Sequence, residues 1–321
     1  MTSPEKPALA LKDVDQETPS FVIDPRAGKP LVSVVIPTHN RSKLLAQAIE
    51  SVLALPCHKH DLEVIVVDDS STDDTPQLVQ NYPVKYRRIS AKSAAAARNE
   101  GIHSATGEFI AFLDDDDLWL PNNLGPQLES LMAHPEFGAA HAQTWFTDQN
   151  MQIVGGPAPG GPLSSGWIFM DLLTYWPQIG TVVVRASVAR EVGDMDSKLP
   201  SAGDEEWDWV LRIAQHHQIA RIDQPVMLYR QPFQAEELRW ERLDYTIKVF
   251  QRRIRHLPVI QRLKLQRILW RHRGWYCDKF MSEAYLYKAR GKRRKALRCL
   301  YYAMRTSPLH AVKGMRRKTL Q

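Results

Sequence analysis

The stretch EFIAFLDDDDLWLP, residues 108–121, decides the fold that we expect for this chain of 321 residues. The five residues after Glu108, residues 109–113, are all apolar, which is typical of a strand that is buried on both faces of a sheet. Four aspartates, Asp114 to Asp117, follow that strand directly. The sequence therefore places four carboxylates in a turn at the end of a buried strand.

Two more buried strands precede this one in the chain. Residues 31–36 end at Pro37-Thr38, and residues 62–67 end at Asp68-Asp69. Stretches with helical apolar spacing separate the strands, so the pattern predicts an α/β fold with a mostly parallel sheet flanked by helices. Right-handed crossovers bring the carboxyl ends of such strands to one edge, where ligands collect. We therefore expect the polar residues after all three strands to meet at that edge.

The composition indicates a folded protein. Hydrophobic residues make up 44% and charged residues 24% of the chain, which excludes wholesale disorder. No stretch reaches the roughly 18 consecutive apolar residues of a membrane-spanning helix, and the first residues do not resemble a secretory signal. The three cysteines are widely spaced and follow no metal-ligand pattern, which favours a reduced, cytosolic protein.

Charge divides the chain into parts. Residues 1–30 have mixed charge and little periodicity, so we expect a flexible leader. Residues 31–234 hold the strand and helix pattern, whereas residues 235–321 carry 24 Lys and Arg against six Asp and Glu, a net charge of +18. We expect this last segment to be a basic, mostly helical extension. It suits peripheral contact with an anionic membrane, packing against the preceding module, or nucleic acid, which is the least favoured partner.

Two local patterns lie between the aspartate run and the extension. Residues 155–166 (GGPAPGGPLSSG) are rich in Gly and Pro, which predicts a mobile flap without regular structure. Residues 208–216 have helical apolar spacing, and the acidic residues just before them are typical of a helix N-terminus.

The aspartate run requires a positive partner. Like charges about 4 Å apart repel by roughly 4 kcal/mol at an effective dielectric constant near 20. No basic residue lies within the run, so a bound divalent cation, Mn²⁺ or Mg²⁺, is the simplest partner, and a solvated acidic turn is the alternative. Asp68 and Asp69 suit hydrogen bonds from a ribose or a nucleobase, with helix capping as the alternative.

Four segments together resemble the family 2 glycosyltransferases, which are inverting enzymes with the GT-A fold. They are VSVVIPTHNR (32–41), VIVVDDSSTDDT (64–75), AAAARNEGIHSATGEFIAFLDDDDLWLP (94–121) and DEEWDWVLRIA (204–214). Each segment alone is a weak signal, but all four occur in the family's order and spacing. The resemblance covers roughly residues 31–230.

The resemblance implies roles for individual residues. It assigns Asp116 to the metal ion, and Trp207 and Asp117 to the acceptor side. It assigns a larger set to the nucleotide-sugar donor: Pro37, Thr38, Arg41, Asp68, Asp69, Arg98, Asp114 and Asp115.

The same resemblance identifies a catalytic base and two departures. Glu206 stands where the family has an aspartate base, and Glu205 or Asp204 are alternatives because the side chain at 206 is one methylene longer. Many relatives carry a histidine shortly after a Tyr-Arg pair, but the segment at Tyr229-Arg230 has none, which leaves a third protein ligand to the metal in doubt.

The function implied by the resemblance is metal-dependent transfer of a sugar with inversion. The donor is a nucleoside-diphosphate sugar of the UDP or dTDP type, and the acceptor is a hydroxyl of a polysaccharide or a lipid-linked glycan. The expected context is cell-surface polysaccharide or glycan assembly. The alternative is a polyanion-binding protein that acts through its basic extension, with a GT-A domain that does not catalyse transfer.

Overall fold

A mixed sheet with helices on both faces forms the centre of the protein. The computed structural model describes residues 29–56, 60–160, 165–175, 177–199, 204–231, 240–308 and 310–312. The strands of these residues are β1 (Leu31–Thr38), β2 (Asp61–Asp69), β3 (Lys85–Ile89), β4 (Phe109–Phe112), β5 (Leu118–Trp119), β6 (Phe137–Thr147), β7 (Ile153–Ala158), β8 (Val183–Arg185) and β9 (Gln218–Arg230). The expected leader lies outside the described residues except for its last two positions, and so does the expected domain boundary at residue 234.

The helices connect and cover these strands. They are α1 (Ser42–Leu53), α2 (Thr75–Leu78), α3 (Ala94–Ser104), α4 (Gly125–Ala133), α5 (Phe169–Leu172), α6 (Ala186–Val192), α7 (Asp204–His216), α8 (Trp240–Ile254), α9 (Val259–Ala289) and α10 (Arg293–Thr306). Among the helices of the described residues, none has the length and apolar character required to cross a membrane.

The strand order confirms the predicted α/β fold. The order is β3-β2-β1-β4-β8-β6-β9-β5, with β7 paired to β6. The four strands from β3 to β4 are parallel, as the buried, β-branched runs predicted. Beyond β4 the sheet is mixed, because β8 is antiparallel to both β4 and β6, whereas β6 and β9 are parallel.

Three local predictions were wrong. Residues 155–158 of the expected flap belong to β7, an irregular strand on β6 in which Gly156 adopts a φ of +103°. Residues 161–164 of that flap lie outside the described residues. The patterns did not predict β9, and the helix expected to begin at Asp208 begins at Asp204, which puts the acidic cluster in its first turn.

The two faces of the sheet have separate cores. On one face, strand residues such as Val34 and Ile36 pack with Leu45 and Ile49 of α1. On the other face, Phe112 packs in a cluster that includes α3, α6 and α7, with its ring edge against Trp209. This second cluster also contains buried apolar residues of α8 and of the first half of α9, namely Val249, Phe250, Ile254, Leu265 and Leu269. The basic extension therefore begins as part of the main core.

Candidate active site

The carboxyl ends of β1, β2 and β4 bring the expected polar residues together. Thr38 and Asp68 are register partners at the ends of β1 and β2, and β4 runs parallel to β1 on its other side. Thr38 then donates a hydrogen bond of 2.8 Å to Asp115 in the turn after β4. The topological prediction that these residues share one edge is confirmed.

The four aspartates of the turn alternate between buried and partly exposed positions. Asp115 and Asp117 are buried, and Asp117 accepts a hydrogen bond of 2.8 Å from the backbone N–H of Arg230. Asp114 and Asp116 keep 28% and 31% of their side chains exposed. Only these two carboxylates of the turn are therefore open enough to contact a ligand.

Arginines from two distant segments supply positive charge to the turn. Arg41 contacts Asp115 at 2.9 Å and Asp116 at 2.8 Å. Arg98 contacts Asp114 at 2.6 Å. Side chains that are remote in sequence therefore supply the positive partners that the run itself lacks.

Burial still makes the ionised form of these aspartates unfavourable. Burial raises the pKa of Asp115 to about 6, although Arg41 acts in the opposite direction. Burial and the charge of Asp114 raise the pKa values of Asp116 and Asp117. Carboxylates that resist ionisation in this way fit a divalent cation, because its charge stabilises the ionised form.

The protein offers few ligands for such a cation. Within the described residues, no group of three or more His, Cys, Asp or Glu side chains is arranged to hold a metal ion. Mg²⁺ usually takes one or two carboxylates and completes its shell with water and substrate phosphates. Asp116 and Asp114, the partly exposed pair, fit that pattern.

Arg98 connects the turn to the acidic start of α7. Its Nη2 atom, besides contacting Asp114, lies 2.5 Å from Glu206, and its Nη1 atom lies 3.5 Å from Glu205. The Glu205 side chain is 1% exposed and that of Glu206 is 15% exposed. Glu206 is therefore the carboxylate of this pair that a ligand can reach. The side chain of Asp204 is not among those that the structure describes.

The pair at the end of β2 is already engaged by protein donors. Asp68 is fully buried and accepts hydrogen bonds from Tyr86 at 2.5 Å and Arg88 at 3.1 Å. Asp69 accepts the backbone N–H groups of Ala91 and Ser93 just before α3. Burial alone would raise the pKa of Asp69, but these and neighbouring N–H groups hold it below its ordinary value. Their role toward a nucleotide stays a prediction.

Both residues assigned to the acceptor side are buried in this structure. Trp207 is buried, and its indole N–H donates a hydrogen bond of 2.7 Å to the carbonyl of Leu172. Asp117 is buried beneath Arg230. Their assignment to the acceptor side stays a prediction.

Two residues at the end of β9 were missed as members of the site. Arg230 donates through Nε to the carbonyl of Asp116 at 2.7 Å and through Nη2 to Gln47 at 3.0 Å. Burial, then the charge of Asp117 and its neighbours, raises the pKa of Tyr229. The sequence analysis considered the Tyr-Arg pair only because the histidine that often follows it in relatives is missing. It did not assign the pair to the site, because it did not predict β9.

Comparison with protein families agrees with this geometry. Residues 33–157 match the family model described as glycosyl transferase family 2. The matched residues contain Thr38, Arg98 and the whole aspartate run. They end before Glu206 and Arg230, so the family model does not assess the second half of the site.

A curated relative matches about a third of the chain. The putative teichuronic acid biosynthesis glycosyltransferase TuaG of Bacillus subtilis is 41% identical over 110 residues, which cover 32% of this chain and 43% of TuaG. The chain thus spans less than half the length of this relative.

Two solved structures have a similar fold over most of their length. TarS 1–349 of S. aureus in complex with UDP aligns with a TM-score of 0.56 and 19% identity over 87% of this chain and 82% of TarS. The mannosyltransferase PcManGT of Pyrobaculum calidifontis in complex with GDP-Man and Mn²⁺ aligns with a TM-score of 0.57 and 18% identity over 91% and 80%. The fold is that of the GT-A glycosyltransferases.

Proposed function

We propose that this chain transfers a sugar from a nucleoside-diphosphate sugar to an acceptor hydroxyl, because its residues 33–157 match the family model of glycosyl transferase family 2. The observation that carries the proposal is the contact of one guanidinium, that of Arg98, with both Asp114 and Glu206. Asp114 lies in the segment that the family model matches, and Glu206 lies 92 positions later in the chain. Their shared contact with Arg98 brings the two acids close together.

The donor side of the proposed site is the edge formed by β1, β2 and β4. Asp116, with Asp114 beside it, would hold a divalent cation, which when bound neutralises the leaving diphosphate. Arg41 is half exposed and already contacts the turn, so it is placed to exchange a carboxylate for a phosphate oxygen. Asp69 and Asp68 fix the loop after β2, against which the nucleoside would lie.

Glu206 is the proposed general base. The acceptor hydroxyl must give up its proton to a carboxylate within about 3 Å, and Glu206 is the more exposed acid at the start of α7. The contact with Arg98 orients this carboxylate. A single base without a protein nucleophile gives a single displacement, so we propose inversion at the anomeric carbon.

The substrates follow by likeness to relatives rather than from contacts. TuaG is described as an enzyme of teichuronic acid biosynthesis, which supports a polysaccharide or lipid-linked glycan as the acceptor. The fold neighbours contain UDP in one case and GDP-Man in the other. We propose a UDP or dTDP donor, and a screen should include GDP-sugars as the purine comparison.

The test separates donor binding from transfer. Thermal unfolding with a panel of nucleotide-sugars and Mn²⁺ should show stabilisation by one of them, and EDTA should remove it. The substitution Glu206→Gln should keep this stabilisation but lower transfer at least about 100-fold, because a general base contributes about that much. The neighbouring Glu205→Gln serves as the matched control and should retain transfer within about tenfold.

Four outcomes would contradict the proposal. Unchanged turnover in Glu206→Gln, or a larger loss in Glu205→Gln, would remove Glu206 from the reaction. The absence of stabilisation by every nucleotide-sugar would favour the alternative of a non-catalytic, polyanion-binding protein. Release of pyrophosphate rather than a nucleoside diphosphate would indicate a nucleotidyltransferase.

A further inference from the structure

Helix α10 has apolar residues on two opposite faces. One face packs against α9 through buried Ala296, Cys299, Ala303 and Thr306. On the other side Leu297, Tyr301 and Met304 remain 66%, 60% and 38% exposed. Their spacing of four and three residues places them in one stripe along the helix. The fold explains the first face, but no packing within the described residues explains the second.

Arginines border this exposed stripe. Arg294, Arg298 and Arg305 are exposed, and their spacing of four and seven residues places them in a second row beside the stripe. Arg298 also contacts the ring of Tyr302 and donates to its hydroxyl. A row of guanidinium groups next to a row of apolar side chains is typical of helices that lie in a membrane interface.

The first half of α9 continues the same kind of surface. Ile260, Leu263 and Trp270 are 70%, 65% and 55% exposed, and exposed Arg267 lies between them in the chain. The ring of Trp270 lies 4.6 Å from that of His310, which follows the end of α10. Trp270, the last of these α9 residues, therefore lies beside the segment that follows the α10 stripe.

We propose that this surface, formed by the α10 stripe, its arginine row and the exposed apolar residues at the start of α9, lies on an anionic lipid bilayer. Residues 235–321 carry a net charge of +18, which complements an anionic leaflet. Leu297 and Met304 suit the boundary between lipid headgroups and acyl chains, and Tyr301 suits the headgroup level. The proposal concerns a surface outside the donor site and does not depend on sugar transfer.

Nucleic acid fits this surface less well than lipid. Base stacking uses runs of aromatic side chains, and this surface presents only two, Tyr301 and Trp270, among the four exposed aliphatic residues Leu297, Met304, Ile260 and Leu263. Contact with phosphates alone would leave Leu297 and Met304 exposed to water. Lipid is the partner that satisfies the arginine row and the apolar stripe together.

The test is cosedimentation of the full chain with vesicles of phosphatidylcholine, alone or mixed with phosphatidylglycerol. We expect binding to the mixed vesicles and little binding to the neutral ones. The triple variant Leu297→Ser, Tyr301→Ser, Met304→Ser should bind the mixed vesicles at least about tenfold more weakly. A matched control removes three exposed apolar side chains elsewhere, by Met132→Ser, Ile153→Ser and Val154→Ser, and should bind like the unmodified protein.

A second variant protects the test against misfolding of the first. Arg294→Glu changes one exposed side chain, which the fold tolerates, and should weaken binding to mixed vesicles by about fivefold or more. Equal binding to neutral and mixed vesicles, or no binding at all, would overturn the proposal. So would unchanged binding of both variants, or tight binding to duplex DNA that the apolar triple variant leaves intact.

Discussion

Replacement of Arg98 by methionine tests the centre of the site through stability. The guanidinium is buried, with 4% of the side chain exposed, and it contacts Asp114, Glu206 and Glu205. Methionine fills similar space but leaves three carboxylates without their common cation. Removal of one partner from a buried ion pair costs about 3–5 kcal/mol, and because Asp114 and Glu206 keep some contact with solvent, we expect the lower end of that range.

Urea unfolding at pH 7 measures this cost. Arg98→Met should lower the free energy of unfolding by about 3 kcal/mol. Arg98→Lys should lie between the variant and the native protein, because an ammonium group keeps the charge but cannot bridge two carboxylates as the planar guanidinium does. The matched control is Arg252→Met, which breaks a contact of 3.0 Å with Asp196 on the surface and should cost less than about 1 kcal/mol.

The result that would refute this reasoning is a small loss. If Arg98→Met and Arg252→Met destabilise the protein equally, the three carboxylates do not depend on Arg98. The site would then be organised by other contacts, and the connection between Asp114 and Glu206 would lose its significance.

Two further predictions address other parts of the site and the sheet. Glu63 accepts hydrogen bonds from Ser33, Lys85 and Thr106, and although burial opposes it, these donors lower the pKa of Glu63 to about 2. The depressed pKa of Glu63 stabilises the fold above about pH 4.5, and this stabilisation is lost as the pH falls toward 2. Glu63→Gln should therefore lower the free energy of unfolding by about 2 kcal/mol at pH 7, after allowance for the half-exposed Lys85. In a series of urea unfolding curves, the variant's midpoint should also change less with pH in the acid range. An acid limb identical to that of the native protein would contradict this. Arg230 donates hydrogen bonds to the carbonyl of Asp116, to Gln149 and to Gln47, and Arg230→Lys should lose at least one of them. The free energy of unfolding should fall by about 2 kcal/mol. The KM for the donor should rise more than kcat falls. A fall in kcat with unchanged KM would contradict a positioning role for Arg230.

The sequence predicted those parts of the site that depend on neighbours in the chain. The strands that end at Thr38, Asp69 and Phe112 are buried and mostly apolar, and the rule that parallel strands end at one edge placed the polar residues at and just after their ends together. Strand β9 escaped prediction because Arg221, Asp223 and Pro225 interrupt its apolar period.

Contacts between distant segments were beyond reach of local patterns. Nothing in the residues around Arg41, Arg98 or Arg230 indicates that all three approach the same acidic turn, because the folded sheet alone brings them there. The burial of Trp207 is a second feature that the local pattern did not indicate. Its large apolar surface is packed away from solvent, and its N–H donates within the core.

The most direct test of the account is a crystal structure grown with Mn²⁺ and UDP. We expect the metal ion between Asp116 and the diphosphate, with the uracil against the loops that follow β1 and β2 and the Glu206 carboxylate facing the space where the sugar would be attached. A nucleotide bound away from the aspartate turn, or a Glu206 side chain directed away from that space, would contradict the proposed mechanism.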